Sequence, residues 1–148
     1  MKHPKLHLIL ADDDMDDCEF FMEATDEISD DCKLTVVNDG VELMEFLSAE
    51  NAELPNLIFL DLNMPRKSGM ECIPEIKSTE KLAHIPIIVY STSLDHTVVN
   101  ELYQLGVLHY IQKPAEFANI KRVIEKALIL LNDVNLSQRS REQFIIQP

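Results

Sequence analysis

The chain has 148 residues, of which 46% are hydrophobic and 26% charged, and its formal net charge is −13. This length favours a single domain with a sizeable core, and the negative charge argues against binding to nucleic acid or to an anionic membrane surface, because both need a basic face. No apolar stretch reaches the roughly 18 residues of a membrane span. Three widely spaced cysteines and the lack of an apolar leader segment predict reduced thiols in a cytoplasmic protein.

Five apolar runs alternate along the chain with five segments of helical spacing. The runs predict strands, in chain order, at Leu6–Ala11, Leu34–Val37, Leu57–Leu60, Ile85–Tyr90 and Val107–Ile111. Helices are predicted after each run, at about residues 20–28, 41–47, 70–77, 97–105 and 116–131. Because the runs are continuous rather than alternating, each strand is expected to be buried on both faces. Five such units predict an α/β domain over residues 1–131, with a doubly wound, five-stranded parallel sheet.

The residues that follow, 132–148, are too few for a second domain, so we predict a C-terminal tail with no separate output domain. Within it, the triplet Phe144-Ile145-Ile146 is apolar in otherwise polar surroundings. Three interpretations of this triplet stay open: it packs back on the domain, it contacts a partner, or it frays.

Four of the predicted strands end in polar residues suited to phosphoryl chemistry. Asp12 and Asp13 follow the first strand, Asp61 the third, Ser91 the fourth and Lys113 the fifth. In doubly wound sheets ligands bind beyond the carboxyl ends of the strands, so we expect these side chains to meet in one pocket. Neighbouring carboxylates repel one another, and Mg²⁺ suits such a site because it leaves positions for water and phosphate oxygens. Asp61 could then act as a nucleophile and form an aspartyl phosphate.

The same strand ends carry sequence blocks that resemble the receiver domain of two-component response regulators, across residues 6 to about 131. The blocks are Leu10-Ala11-Asp12-Asp13-Asp14, Asp61-Leu62-Asn63-Met64-Pro65 with Gly69, Pro86-Ile87-Ile88-Val89-Tyr90-Ser91, and Tyr110-Ile111-Gln112-Lys113-Pro114. The resemblance implies a flavodoxin-like fold with strand order 2-1-3-4-5. It also implies that Asp61 accepts a phosphoryl group from a sensor histidine kinase or a histidine phosphotransfer protein.

The resemblance further implies a metal site. Asp12, Asp13, Asp61 and the backbone carbonyl of Asn63 would bind Mg²⁺, with Asp12 acting mainly through a bound water molecule. Asn63 and Ser93 occupy positions that, by resemblance, tune dephosphorylation.

A second set of residues would, by the same resemblance, read the phosphate. Lys113 would pair with it, through a cis peptide bond to Pro114, and Ser91 would move to bond it. Tyr110 would turn inward behind Ser91. Thr92 stands where the family usually has alanine near the phosphate, so it could narrow access or alter the lifetime of the phosphoryl group.

The predicted function is therefore that of a single-domain response regulator, which signals by protein contact and catalyses only its own phosphotransfer and dephosphorylation. By resemblance, its output face would comprise residues 97–131 and would contact a downstream protein target or a second copy of the chain in a homodimer. Two alternatives are an Mg²⁺-dependent phosphatase with an aspartyl-phosphate intermediate and a receiver-like module that binds independently of phosphorylation. The first needs a DxDx[TV] pattern that Asp12–Asp16 lacks, and the intact set of site residues argues against the second.

The remaining acidic residues at the start of the first helix have a simpler interpretation. Asp14, Asp16 and Asp17 are expected to cap the helix and to complement its dipole. Their alternate spacing also mimics a calcium-binding loop, but Asp17 stands where such a loop needs glycine. The sequence therefore predicts no calcium loop here.

Overall fold

The structure is a computed structural model and describes residues 6–132 and 140–148. Its strands are β1 Leu6–Ala11, β2 Cys32–Val37, β3 Leu57–Leu60, β4 Ile87–Ser91, β5 His109–Gln112 and β6 Ile145–Ile146. Its α-helices are α1 Met15–Ile28, α2 Gly40–Ser48, α3 Gly69–Ser78, α4 His96–Gln104 and α5 Phe117–Leu131, and a 3₁₀ turn covers Arg141–Gln143. The strands form one sheet in the order β2-β1-β3-β4-β5-β6, in which every neighbouring pair is parallel.

The predicted doubly wound parallel fold is confirmed, but the prediction of a five-stranded sheet is wrong. The sixth strand pairs with the outer edge of β5, where Tyr110 lies opposite Ile145 and Ile111 opposite Ile146. A two-residue strand is too short to show a period in the sequence, and it forms here because β5 offers an unpaired edge. Of the three interpretations of the apolar triplet, packing back on the domain is the one observed, and Phe144 is fully buried.

The core has one layer on each face of the sheet. Successive residues of β1 point to opposite layers, so that Ile9 joins the layer under α2, α3 and α4, while Leu8 joins the layer under α1 and α5. This alternation is the normal geometry of a strand. Apolar side chains are therefore favoured on both faces of the central strands, which explains the continuous hydrophobic runs. Among the described residues, no helix combines the length and the apolar composition needed to cross a bilayer.

Side-chain caps fix the beginnings of several helices close to the strand ends. The caps are Asp14 on α1, Asp39 on α2, Ser68 on α3 and Asp95 on α4, and each accepts a hydrogen bond from a backbone N–H of the first turn. Such caps satisfy donors that have no partner within the helix. The loops between strands and helices are thereby held at the carboxyl edge of the sheet, where the polar residues lie.

Candidate functional site

Three carboxylates converge at the carboxyl edge of β1 and β3. Asp12 and Asp13 follow β1, Asp61 follows β3, and the two strands are neighbours in the sheet. Carboxylate oxygens of the three residues all lie within 4.8 Å of one another. Asp12 and Asp61 are buried, whereas Asp13 is exposed. The structure therefore brings together the three carboxylates that the sequence analysis assigned to a metal site.

The carboxylate of Asp12 is buried, and burial disfavours its charged form. Burial raises its pKa to about 6, although the ammonium of Lys113 acts in the opposite direction. Its Oδ1 accepts a hydrogen bond from the N–H of Asp14 at 3.0 Å. Its Oδ2 forms an ion pair with Lys113 Nζ at 2.8 Å and accepts no hydrogen bond of good geometry from the described residues. A buried oxygen with spare acceptor capacity beside two further carboxylates fits a hard divalent cation.

Lys113 supplies the positive charge of this pocket. Its side chain is only 6% exposed, and its Nζ lies 2.8 Å from an oxygen of Asp12, 2.8 Å from one of Asp17 and 3.4 Å from one of Asp61. Burial lowers the pKa of Lys113, but the three carboxylates together hold it above its ordinary value. Lys113 is therefore expected to stay protonated at neutral pH, and it forms ion pairs with all three carboxylates.

The backbone of Lys113 continues the pairing of β4 with β5. Its N–H donates to the carbonyl of Ser91 at 2.7 Å, directly beyond the last pair of the two strands. The peptide bond between Lys113 and Pro114 is trans, so the expected cis bond is not observed. The placement of the ammonium thus follows from the strand pairing.

Asp17 is a site residue that the sequence interpretation missed. Asp14 is the helix cap, as predicted, because its side chain accepts from the N–H of Asp17. The interpretation of Asp17 as a simple cap is wrong, since its carboxylate accepts a 2.8 Å hydrogen bond from Lys113. A signal was present in the sequence: Asp17 lies four residues before Phe21, on the stripe of α1 that faces the core. A charged residue on that stripe needs a partner.

Replacing Asp17 by alanine is expected to lower the free energy of unfolding by about 1 kcal/mol, since Lys113 loses one of its charged partners. The matched control is Asp16→Ala, which removes the same charge from an exposed position one residue away and is expected to stay within about 0.5 kcal/mol. Urea denaturation of both variants measures the difference. Equal stabilities of the two variants would show that Asp17 does not hold Lys113.

The residues expected to read a phosphate lie on the β4 side of the pocket. Ser91 is buried, and its hydroxyl lies 3.3 Å from that of Ser93. Tyr110 is also buried, and its hydroxyl donates to the carbonyl of Ser93. Thr92 is exposed, and its carbonyl accepts a 3.2 Å hydrogen bond from the side chain of Gln112. The hydroxyl of Ser91 therefore contacts that of Ser93 in this structure, and Tyr110 occupies an inward position.

The loop after Asp61 is held against the start of α2. Asn63 is exposed, and its N–H lies 3.4 Å from Asp61 Oδ1. Arg66 adopts a left-handed backbone conformation with φ 64°. Its Nε donates to Asp39 Oδ2 at 2.8 Å, and this hydrogen bond lowers the pKa of Asp39. This ion pair could not be predicted from the sequence, because it depends on the left-handed backbone of one loop residue, Arg66.

Comparison with known proteins identifies relatives for most of the chain. Residues 8–125 match the protein family described as "Response regulator receiver domain". Response regulator Rcp1 of Synechocystis sp. is 32% identical over 127 residues, which cover 83% of this chain and 86% of Rcp1. The probable methanogenesis regulatory protein FilR2 of Methanothrix harundinacea is 27% identical over 122 residues, which cover 80% of this chain and 79% of FilR2.

Two solved structures share the fold at similar levels of identity. The Mn²⁺-bound form of Rcp1 has a TM-score of 0.77 at 31% identity, with 87% of this chain and 96% of that chain covered. The phosphorylated cyanobacterial phytochrome response regulator RcpA has a TM-score of 0.79 at 32% identity, with 92% of this chain and 97% of that chain covered. One of these relatives thus binds a divalent metal ion and the other carries a phosphoryl group.

Proposed function

The chain belongs to the response regulator receiver domain family, and from this premise we propose that Asp61 is the residue that accepts its phosphoryl group. Proteins of this family are phosphoacceptors in two-component signalling, and their output depends on phosphorylation. The observation that carries the assignment to Asp61 is its place at the end of β3, within 4.8 Å of two other carboxylates and 3.4 Å from the ammonium of Lys113.

In the proposed reaction, a carboxylate oxygen of Asp61 attacks the phosphorus atom of a phosphohistidine on the donor protein. The P–O bond forms as the P–N bond breaks, and the departing imidazole takes up a proton. Lys113 would pair with the oxygens of the transferred group, which is mainly electrostatic stabilisation. Ser91 would exchange its contact with Ser93 for one with the phosphoryl group, and Tyr110, which is already buried, would keep its inward position behind Ser91.

We assign the metal site of this reaction to Mg²⁺. Asp12, Asp13 and Asp61 supply carboxylate oxygens, and the backbone carbonyl of Asn63 is a further ligand by resemblance to the family. When bound, the ion neutralises charge on the phosphoryl oxygens. Rcp1 has been solved in a Mn²⁺-bound form, which supports the binding of a divalent cation by this chain. Mg²⁺ suits the site because it needs few carboxylates and leaves positions for phosphate oxygens.

The partners that we propose are those of the family. A sensor histidine kinase or a histidine phosphotransfer protein in the cytoplasm would donate the phosphoryl group. The output surface would be formed by α4, β5 and α5, residues 97–131, and would contact a downstream protein or a second copy of the chain. Receiver domains are signalling proteins rather than classical enzymes, and hydrolysis of its own phosphoryl group would be the chain's second reaction.

Incubation with acetyl phosphate and Mg²⁺ is expected to add one phosphoryl group that is stable in acid and labile in base. Chelation of the metal is expected to prevent labelling, because three carboxylates would otherwise repel the incoming anion. Intact-mass spectrometry measures both results. Labelling that persists in the chelator would contradict the metal site, and steady turnover of a simple phosphate ester would favour the phosphatase alternative.

A further inference from the structure

The C-terminal segment, residues 140–148, covers the outer edge of β5. Its strand β6 pairs with Tyr110 and Ile111, and the N–H of Tyr110 donates to the carbonyl of Phe144 at 3.0 Å. Phe144 has no exposed surface. The segment therefore binds the sheet edge through backbone hydrogen bonds and the buried ring of Phe144. Peptides that bind another protein by adding a strand to its sheet use the same kind of contact.

Side chains fasten the segment to α4. The ring of Phe144 packs edge-on against Tyr103, with ring centroids 5.4 Å apart. Arg141 donates from Nε to Asn100 Oδ1 at 3.0 Å, and its guanidinium lies 5.8 Å from the centre of the Phe144 ring. These contacts join the segment to the first helix of the proposed output surface.

Contacts with β5 and α5 complete the docking. His109 Nδ1 lies 3.1 Å from the carbonyl of Phe144, and Lys126 Nζ donates to the carbonyl of Gln147 at 2.7 Å. The segment thus touches α4, β5 and α5, which are the three elements of the proposed output surface. A downstream protein that uses this surface has to recognise the docked segment or displace it.

Tyr110 connects the segment with the phosphoryl site. Its backbone is held by Phe144, its ring lies in the same hydrophobic layer as Phe144, and its hydroxyl donates to the carbonyl of Ser93. Ser93 in turn contacts the hydroxyl of Ser91, the residue proposed to bond the phosphoryl group. Tyr110 therefore links the two regions: its backbone N–H bonds the segment, and its hydroxyl bonds the loop that carries Ser93.

We propose that the C-terminal segment is an intramolecular ligand of β5 and α4, and that its docking is coupled to phosphorylation of Asp61 through the inward position of Tyr110. This inference rests on the proposed function. Docking and phosphorylation favour the same position of Tyr110, so each strengthens the other, and the coupling is reciprocal. A strand of two residues contributes few backbone hydrogen bonds, so a modest change at Tyr110 is expected to shift the docking of the segment.

Amide hydrogen exchange in the full chain tests the coupling. The N–H of Tyr110 reports docking directly, because its acceptor belongs to the segment. With Mg²⁺ and beryllofluoride, a phosphoryl analogue, exchange at Tyr110 and in residues 140–148 is expected to slow about fivefold or more. Asp61→Asn should abolish the effect. Unchanged exchange in a chain that binds beryllofluoride overturns the coupling alone, whereas a chain that binds none overturns the proposed function as well.

The reciprocal measurement uses variants of the segment. Arg141→Ala and Asn100→Ala remove the same hydrogen bond from opposite sides, and each is expected to weaken beryllofluoride binding several-fold. Glu142→Ala, at the exposed neighbouring position, is the matched control and should bind like the native chain. Equal affinities for all four proteins overturn the proposal. Protection of Tyr110 that rises with protein concentration assigns the strand to a second copy and overturns the intramolecular docking.

Discussion

Replacing Asp61 by asparagine is expected to abolish labelling of the chain by acetyl phosphate in the presence of Mg²⁺. The amide has no anionic oxygen to attack phosphorus, and we expect neither neighbouring carboxylate to replace it. Asp12 is fully buried and faces Lys113, and Asp13 follows the neighbouring strand, β1. Intact-mass spectrometry of the native chain and the variant, treated side by side, measures the loss.

The fold of the Asp61→Asn variant should survive, so that lost labelling reports chemistry rather than unfolding. Lys113 keeps its two 2.8 Å partners, Asp12 and Asp17, and loses only the 3.4 Å contact. Removal of one carboxylate from a crowded cluster also relieves repulsion. Asp16→Asn, which changes the same charge at an exposed position, is expected to be labelled like the native chain. Native-level labelling of the Asp61→Asn variant would refute the assignment.

Replacing Gly69 by alanine is expected to lower the free energy of unfolding by about 1–3 kcal/mol or more, the usual range for overpacking. A Cβ at this position would lie 2.3 Å from the carbonyl oxygen of Asp61 and 2.9 Å from the Cα of Leu62. Both atoms belong to the backbone, so the loop that carries the phosphoacceptor has to move. Slower phosphorylation should therefore accompany the lost stability.

Gly106→Ala separates this effect from the general cost of replacing glycine. Gly106 has φ 86°, but the nearest atoms to an added Cβ are the end of the Lys77 side chain, about 3.9 Å away. The variant is expected to lose roughly 1 kcal/mol through backbone strain alone and to be phosphorylated at the native rate. Chemical denaturation and labelling rates compare the two variants. Normal phosphorylation of a folded Gly69→Ala protein would contradict the proposed link between this glycine and the site.

Most of the fold could be predicted because it depends on local pattern. Continuous apolar runs at Leu6–Ala11 and Leu57–Leu60 indicate strands buried on both faces, and the strands form at the same residues. Strand β6 could not be predicted, because two isoleucines carry no period and their pairing depends on the free edge of β5. Its existence is a property of the assembled sheet rather than of residues 145 and 146.

Most residues of the site could be predicted from the sequence, but the contacts between them could not. The carboxyl ends of parallel strands lie along the same edge of the sheet, so the sequence alone placed Asp12, Asp61 and Lys113 in one pocket. The partners of Lys113 depend on distances between residues far apart in the sequence, which no motif gives. Asp17 is one of these partners because α1 directs its side chain toward the ammonium of Lys113. The contact of Ser91 with Ser93 is likewise a detail of loop geometry that no motif encodes.

The most direct test of the account is to locate the phosphoryl group on the chain. Borohydride reduces an aspartyl phosphate to homoserine, so treatment of the phosphorylated protein followed by peptide mapping identifies the modified residue. We predict homoserine at position 61 and unmodified aspartate at positions 12 and 13. Homoserine at either of those positions, or a phosphoryl group on Ser91, would contradict it.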